Sequence, residues 1–178
     1  MDIIILQGSP NTDGSTALLC NEFSQGARHA GHSVECIDIA RLSIAPCLGC
    51  VQCGYGARPC VQHDDMQIVR KKILDADMVV FATPLYYYGM SAQLKTVIDR
   101  FCADNIAIDN KQLKVSLITA AWNSDSWTFE ALVAHYQTLC RYLNMQDKGM
   151  VLGYGCGTPG MTKRSHAMKE AYDLGASL

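Results

Sequence analysis

The 178-residue chain has no excess of basic residues: 15 Lys and Arg stand against 17 Asp and Glu, a formal net charge of −2. Its longest basic cluster is Arg70-Lys71-Lys72, too little to neutralise a duplex backbone, which excludes nucleic acid as a partner. No apolar run approaches the roughly 18 residues of a membrane span, which excludes a membrane role of that kind. The opening Met1-Asp2 and the short run Ile3-Ile4-Ile5-Leu6 are too acidic and too brief for a secretory signal. The chain is also short of charge, at 18%, while 49% of it is hydrophobic, the reverse of a disordered composition. No linker, internal repeat or low-complexity stretch divides it. These absences describe one cytoplasmic domain, able to bury roughly 70% of the surface its unfolded chain exposes.

Cysteine is the residue present in surplus. Nine thiols, an odd number, without a signal segment argue against a secreted disulfide framework. Cys20, Cys36, Cys102, Cys140 and Cys156 are scattered singly and read as small buried hydrophobes. Cys47, Cys50, Cys53 and Cys60 are clustered and need their own explanation.

Strand-like and helix-like segments alternate along the whole chain. Asp2 to Gln7, Val34 to Ile39, Met78 to Ala82, Leu113 to Ala121 and Lys148 to Tyr154 are apolar runs of strand length. Between and after them, apolar residues at helical spacing mark Ser15 to Ala30, a helix starting at Asp64-Asp65, Ser91 to Cys102, Ser126 to Leu143 and Lys163 to Leu174. Such alternation means βαβ units on a parallel sheet. Five strands fit an α/β, flavodoxin-like, doubly wound sheet of order 2-1-3-4-5, formed by a single domain over residues 1–178 with a cysteine-rich insertion at 46–63. Ligands of such sheets lie beyond the carboxyl ends of the strands, at the switch point beside the first strand.

The loop after the first strand is Gly8-Ser9-Pro10-Asn11-Thr12-Asp13-Gly14-Ser15-Thr16. It combines tight-turning glycines, hydroxyl and amide donors, and the N-terminus of a helix, a combination that suits a phosphate or a plain Ser/Thr helix cap. It is neither a Walker A loop nor a Gly-x-Gly-x-x-Gly turn. After the third strand, Pro84-Leu85-Tyr86-Tyr87-Tyr88-Gly89 carries three successive tyrosines. They cannot all face one core, so some line a cleft or an interface. The fourth strand ends in Ala120-Ala121-Trp122, another aromatic at the same rim. A phosphate cradle beside an aromatic wall describes a site for a phosphorylated planar ligand.

Three motifs together resemble the NADPH-dependent FMN reductase superfamily. They are Gly-Ser-Pro-x5-Thr after the first strand, the cysteine loop running into Asp64-Asp65-Met66, and Thr-Pro-Leu-Tyr-Tyr-Tyr-Gly-Met-Ser-Ala-Gln-Leu-Lys-x3-Asp-Arg. Within that superfamily the chain is most similar to the iron–sulfur flavoproteins and their cluster-less relatives. The resemblance covers Ile3 to Phe101 and fades beyond Ala121. It implies FMN, with the phosphate on Ser9, Asn11, Ser15 and Thr16. The isoalloxazine would lie against Pro84, Leu85, Tyr86, Tyr87, Tyr88 and Gly89, with Ala120, Ala121 and Trp122 on its other side. Relatives often carry a basic residue where this chain has Asn11. The resemblance also implies NAD(P)H as co-substrate, a flavin, quinone or other small molecule as acceptor, and a homodimer or homotetramer. No side chain is singled out as an acid or base.

Cys47-x2-Cys50-x2-Cys53-x6-Cys60 curls three thiols at the spacing that wraps a cubane cluster. The fourth comes three residues later than in the usual ferredoxin run, which the iron–sulfur flavoprotein pattern accommodates. A [4Fe–4S] cluster, reduced or disulfide-bonded thiols, and zinc are three open readings of these residues. With a cluster, the chain would be an electron carrier fed by a ferredoxin-like protein. A phosphorylation receiver of similar fold needs an acidic trio at its strand ends, and Gln7-Gly8-Ser9 and Ala82-Thr83 offer none. Gly155-Cys156-Gly157-Thr158-Pro159-Gly160 matches Gly-x-Gly-x-x-Gly but leaves no room for a following βαβ unit. It reads as a glycine-rich strand end lining the cleft. Asp99-Arg100 reads as an ion pair or a dimer contact.

Overall fold

The apolar runs form five parallel strands in a computed structural model that describes residues Met1 to Leu178. They are β1 Asp2–Gln7, β2 Ser33–Asp38, β3 Met78–Pro84, β4 Lys114–Ala120 and β5 Gln146–Gly153, in spatial order β2-β1-β3-β4-β5. β1, β3 and β4 are buried along nearly their whole length, which is why they read as continuous hydrophobic runs. The helices are α1 Ser15–His29, α2 Met66–Asp75, α3 Ala92–Arg100, α4 Asn105–Lys111, α5 Glu130–Tyr142, α6 Pro159–Thr162 and α7 Ala167–Ala176. None is long and apolar enough to cross a membrane.

Strand side chains alternate between two cores. Ile4, Leu6, Val79, Phe81, Val115 and Leu117 meet Val69 and Ile73 of α2, Leu94 and Val97 of α3, and Leu132 and Tyr136 of α5. On the other face Ile3, Ile5, Val80 and Ile118 meet Leu19 and Phe23 of α1 and Ala171 of α7. α1 and α7 touch backbone to backbone. A Cβ at Gly26 would lie 2.1 Å from the Tyr172 carbonyl oxygen, and one at Gly175 would lie 2.2 Å from that of Phe23. Only glycine fits either position.

Several expected boundaries move. The fifth helix begins at Glu130 and not at Ser126, because Asp125 to Phe129 closes turns in which Thr128 N–H donates to Asp125 O and Glu130 N–H to Trp127 O. The closing helix begins at Ala167 and not at Lys163, and a short unexpected helix precedes it. Thr158 caps α6, accepting the Met161 N–H at 3.2 Å, with Pro159 just inside, and α7 starts afresh at Ala167. α3 ends at Arg100 and continues as a 3₁₀ turn, Phe101–Asp104, into α4, a helix not expected from the sequence.

Asp99 and Arg100 do not pair with each other. Lys95 takes Asp99 one helical turn away, whereas Arg100 is buried and donates to both oxygens of Asp64, at 2.8 and 3.2 Å, and to Ala45 O at 2.9 Å. Asp64 also accepts the Met66 N–H, the first of α2, at 3.1 Å, so the helix begins just after the expected Asp64-Asp65 with Asp65 at its N-cap position. Asp65 turns instead to the Ser43 N–H at 2.7 Å. Of the scattered cysteines, Cys20, Cys140 and Cys156 are buried, but Cys36 is exposed and Cys102 only half-buried. The reading of all five as core residues is corrected for those two.

Candidate functional site

A cavity of about 280 Å³ opens at the carboxyl ends of β1, β3, β4 and β5. Ser9, Asn11, Gly14, Ser15 and Thr16 form one end of it. Here Ser9 is buried, its hydroxyl donating to Asn11 O and accepting the Asn11 N–H, both at 3.2 Å. Asn11 Oδ1 in turn takes the Asp13 N–H at 3.1 Å. These bonds fold the loop back so that α1 enters through Gly14, and no side chain caps the helix. Its first-turn N–H groups therefore have no intrahelical or side-chain acceptor. The first turn has no acidic residue, so the positive end of the helix dipole is uncompensated there.

The loop is held from behind by Ser91, the N-cap of α3. Its hydroxyl donates to Gly8 O at 2.7 Å and accepts the Leu94 N–H at 3.3 Å, while its own N–H donates to Thr83 Oγ1 at 2.8 Å. Gly8 must be glycine, since a Cβ would come within 2.7 Å of both Leu94 Cβ and Ser91 Oγ. One buried serine thus couples the β1 and β3 loops.

Pro84, Leu85 and Tyr86 line the cavity from β3, and Ala120, Ala121 and Trp122 from β4. Tyr86 and Gly89 exchange two backbone hydrogen bonds of 3.0 Å. This forces Tyr87 and Tyr88 into left-handed backbone, at φ 46° and 63°. The turn lifts Tyr87 fully into solvent and lays Tyr88 against Trp127, with ring centroids 5.1 Å apart. Tyr87 and Tyr88 consequently do not reach the first cavity. They line a second one of about 270 Å³, which shares Leu85, Ala121 and Trp122 with the first. Gly89 closes the turn without lining either cavity.

The far wall comes from Cys156, Gly157 and Pro159. Trp122 lies so close to Gly157 that a Cβ there would stand 2.2 Å from the indole Cε3, yet the indole is 69% exposed. The glycine allows the ring to rest on the backbone with its remaining surface open. The sequence signal was the glycine-rich segment after β5. Gly14 had no signal beyond its place in the β1 loop.

The four clustered cysteines are also brought together. Cys47, Cys50, Cys53 and Cys60 line a third cavity of about 280 Å³, and Cys102, from the turn after α3, joins them. Cys53 Sγ and Cys102 Sγ are 3.7 Å apart. Burial, then the hydrogen bond with Cys53, pushes the Cys102 thiol up to about 11. Arg100 forms part of the wall, and its buried Nε has no partner. No three Cys, His, Asp or Glu side chains converge as a single metal ion requires. Ser91 and Cys102 stand at the two ends of α3, about 16 Å apart at 1.5 Å per residue, so the cysteine cavity is well separated from the strand-end cavity.

A doubly wound sheet with an open helix N-terminus and aromatic walls at its switch point defines a nucleotide-type α/β protein. The chain belongs to the NADPH-dependent FMN reductase family, whose model matches residues 1–170. It is 36% identical over 100 residues to an iron–sulfur flavoprotein of Methanocaldococcus jannaschii, a match covering 56% of this chain and 51% of that one. The chain spans about half the length of the iron–sulfur flavoproteins it matches. Over 93% of its length it is 28% identical to YwqN of Bacillus subtilis, a protein assigned as an NAD(P)H-dependent FMN-containing oxidoreductase, of which the match covers 91%. The fold is shared with an NAD(P)H:quinone oxidoreductase from Methanothermobacter marburgensis, at a TM-score of 0.80 and 17% identity over 99% of this chain and 95% of that one. It is shared equally with an FMN-dependent NADH-azoreductase from Bacillus anthracis solved with FMN, at a TM-score of 0.75 and 13% identity over 99% of each.

Proposed function

We propose that the chain is an FMN-dependent oxidoreductase, passing reducing equivalents from NAD(P)H through bound FMN to a flavin, quinone or other small aromatic acceptor. The observation that carries this is the strand-end cavity, with uncapped backbone donors at one end and flat aromatic and aliphatic walls at the other. FMN, when bound, supplies the redox chemistry. The protein binds and orients it. Ser9, Asn11, Ser15 and Thr16, with the α1 dipole, would hold the phosphate through neutral donors. Pro84, Leu85, Tyr86, Ala120, Ala121 and Trp122 would flank the ring. Tyr87 and Tyr88, in the adjoining cavity, suit the molecule that exchanges with the flavin. The nine free thiols fit a reducing compartment, the cytoplasm. Exposed Tyr87, Trp122 and Trp127 at the open side of the site support a homodimer or homotetramer, which analytical ultracentrifugation measures.

Anaerobic mixing of the FMN-loaded chain with NADPH or NADH tests the reading. Bleaching of the flavin band, then its recovery on adding a quinone, is the expected result. Thr16→Ala should weaken FMN binding about tenfold, the loss of one hydrogen bond to a charged group. Unchanged affinity would overturn the phosphate assignment.

A second reading rests on the cysteine cavity. Four thiols around one cavity, with an unpartnered guanidinium N–H in its wall, match in kind what an anionic thiolate-bound cluster needs. A single zinc ion needs its ligands on one point, which these residues do not provide. Cys47, Cys50, Cys53 and Cys60 would hold a [4Fe–4S] cluster, and a ferredoxin-like protein would be the electron donor. Iron and acid-labile sulfide in anaerobically purified protein decide between this and a chain whose loop carries thiols alone.

A further inference from the structure

Cys102 belongs to no motif, and neither reading above uses it. It is nonetheless paired with Cys53, their sulfurs 3.7 Å apart across 49 residues of sequence. Local structure fixes this approach from both sides. The Cys53 carbonyl accepts the Gly56 and Arg58 N–H groups at 3.2 and 2.9 Å, closing a tight turn just after the cysteine. That turn packs on the start of α4, just after Cys102. At Gly56, which has φ 104°, a Cβ would stand 3.0 Å from Ile106 N. The two sulfurs line one cavity, and a disulfide requires them to close from 3.7 Å to a bond length of roughly 2.05 Å.

We propose that Cys53 and Cys102 are a redox pair, joined by a hydroperoxide into a disulfide that withdraws Cys53 from the four-cysteine set. The Cys53 sulfur attacks the peroxide, so that an S–O bond forms, the O–O bond breaks and the leaving alkoxide takes the thiol proton as an alcohol. The Cys102 sulfur then attacks Cys53 Sγ. The S–S bond forms, the S–O bond breaks, and hydroxide departs as water with the Cys102 proton. Two thiols and one hydroperoxide become one disulfide, one alcohol and one water. The pair lies at the far end of α3 from the strand-end cavity and depends on neither cofactor. Oxidation leaves three motif thiols, an incomplete ligand set for a cubane.

The test is a non-reducing peptide map of the full chain, reduced, desalted, exposed to stoichiometric hydrogen peroxide and alkylated. The expected result is a Cys53–Cys102 linked peptide, with both thiols lost from the alkylated pool and restored by dithiothreitol. C102S should accumulate several-fold more sulfenic acid at Cys53, trapped by dimedone, than the wild-type chain. The wild-type map stands without the variant. An alkylated Cys102 beside an oxidised Cys53, a bond from Cys53 to another motif cysteine, or both thiols surviving peroxide would each overturn the pair. All of these are read without flavin turnover, so they leave the oxidoreductase reading untouched.

Discussion

Tyr87 and Tyr88 occupy a turn conformation that is ordinarily filled by Asn-Gly or Gly-Gly. Left-handed backbone costs a non-glycine residue about 1–2 kcal/mol, and a fully exposed Tyr87 recovers little of that by burial. Strain of this kind persists where function retains the side chain. Tyr87→Gly should therefore raise unfolding stability by about 1 kcal/mol in denaturant titrations. It should also lower kcat/KM for an aromatic acceptor, because one wall of the second cavity is lost. Asp64 gives a second residue-scale expectation. Burial pushes its carboxyl up, but the bonds from Arg100, Ala45 and Met66 outweigh burial and hold it below the ordinary 3.8. The folded chain thus binds this proton less readily than the unfolded one. The resulting stability is present above the ordinary carboxylate range and fades as pH falls through the lowered folded value. Thermal melts of Asp64→Asn should be less stable than wild type near neutrality, and the difference should shrink in acid. The Asp64–Arg100 pair was not legible in the sequence. Its partners are 36 residues apart, while Asp99 sits beside Arg100 with its acid already taken by Lys95.

At the level of elements, the strands read well because burial on both faces leaves long apolar runs with few competing interpretations. α3 was legible for a related reason. Its stripe of Leu94, Val97 and Ile98 is buried, while Lys95 and Asp99 beside them pair at the surface. What escaped was structure set by turns. α4 follows α3 through a 3₁₀ turn with no glycine or proline to mark it, and the segment before α5 carries Phe129 at helical spacing but closes turn hydrogen bonds. The phosphate-suited loop was visible as donors plus a helix start. Its support by Ser91 was not, because that contact spans 83 residues. Ser91→Ala removes a cap and leaves a buried carbonyl at Gly8 without its donor, a loss of about 2 kcal/mol by the usual cost of each. Chemical denaturation measures the first effect. A several-fold weaker FMN affinity in the folded variant would report the slackened loop.

The strand-end cavity and the cysteine cavity lie toward opposite ends of one helix. The strand order 2-1-3-4-5 was legible because short crossovers of fixed hand leave few topologies. The meeting of Cys102 with the cysteine loop was not, because it depends on how a long insertion packs against the sheet's outer helices. Ligand linkage acts at this scale. FMN at 100 times its Kd should add about 2.7 kcal/mol to unfolding, a rise of roughly 5–10 °C in Tm for a chain of this size. Differential scanning calorimetry with and without FMN measures it, and a Tm unmoved by saturating FMN would refute binding to the folded state.

The glycine contact between α1 and α7 bears on the order in which the protein is made. α1 leaves the ribosome early, carrying the open N-terminus that faces the cavity, but its packing partner is translated long after it. Until α7 emerges, Phe23 and Gly26 have only the sheet to lie on. The contact thus makes the final seating of α1, whose first residues line the strand-end cavity, wait on an element translated after it.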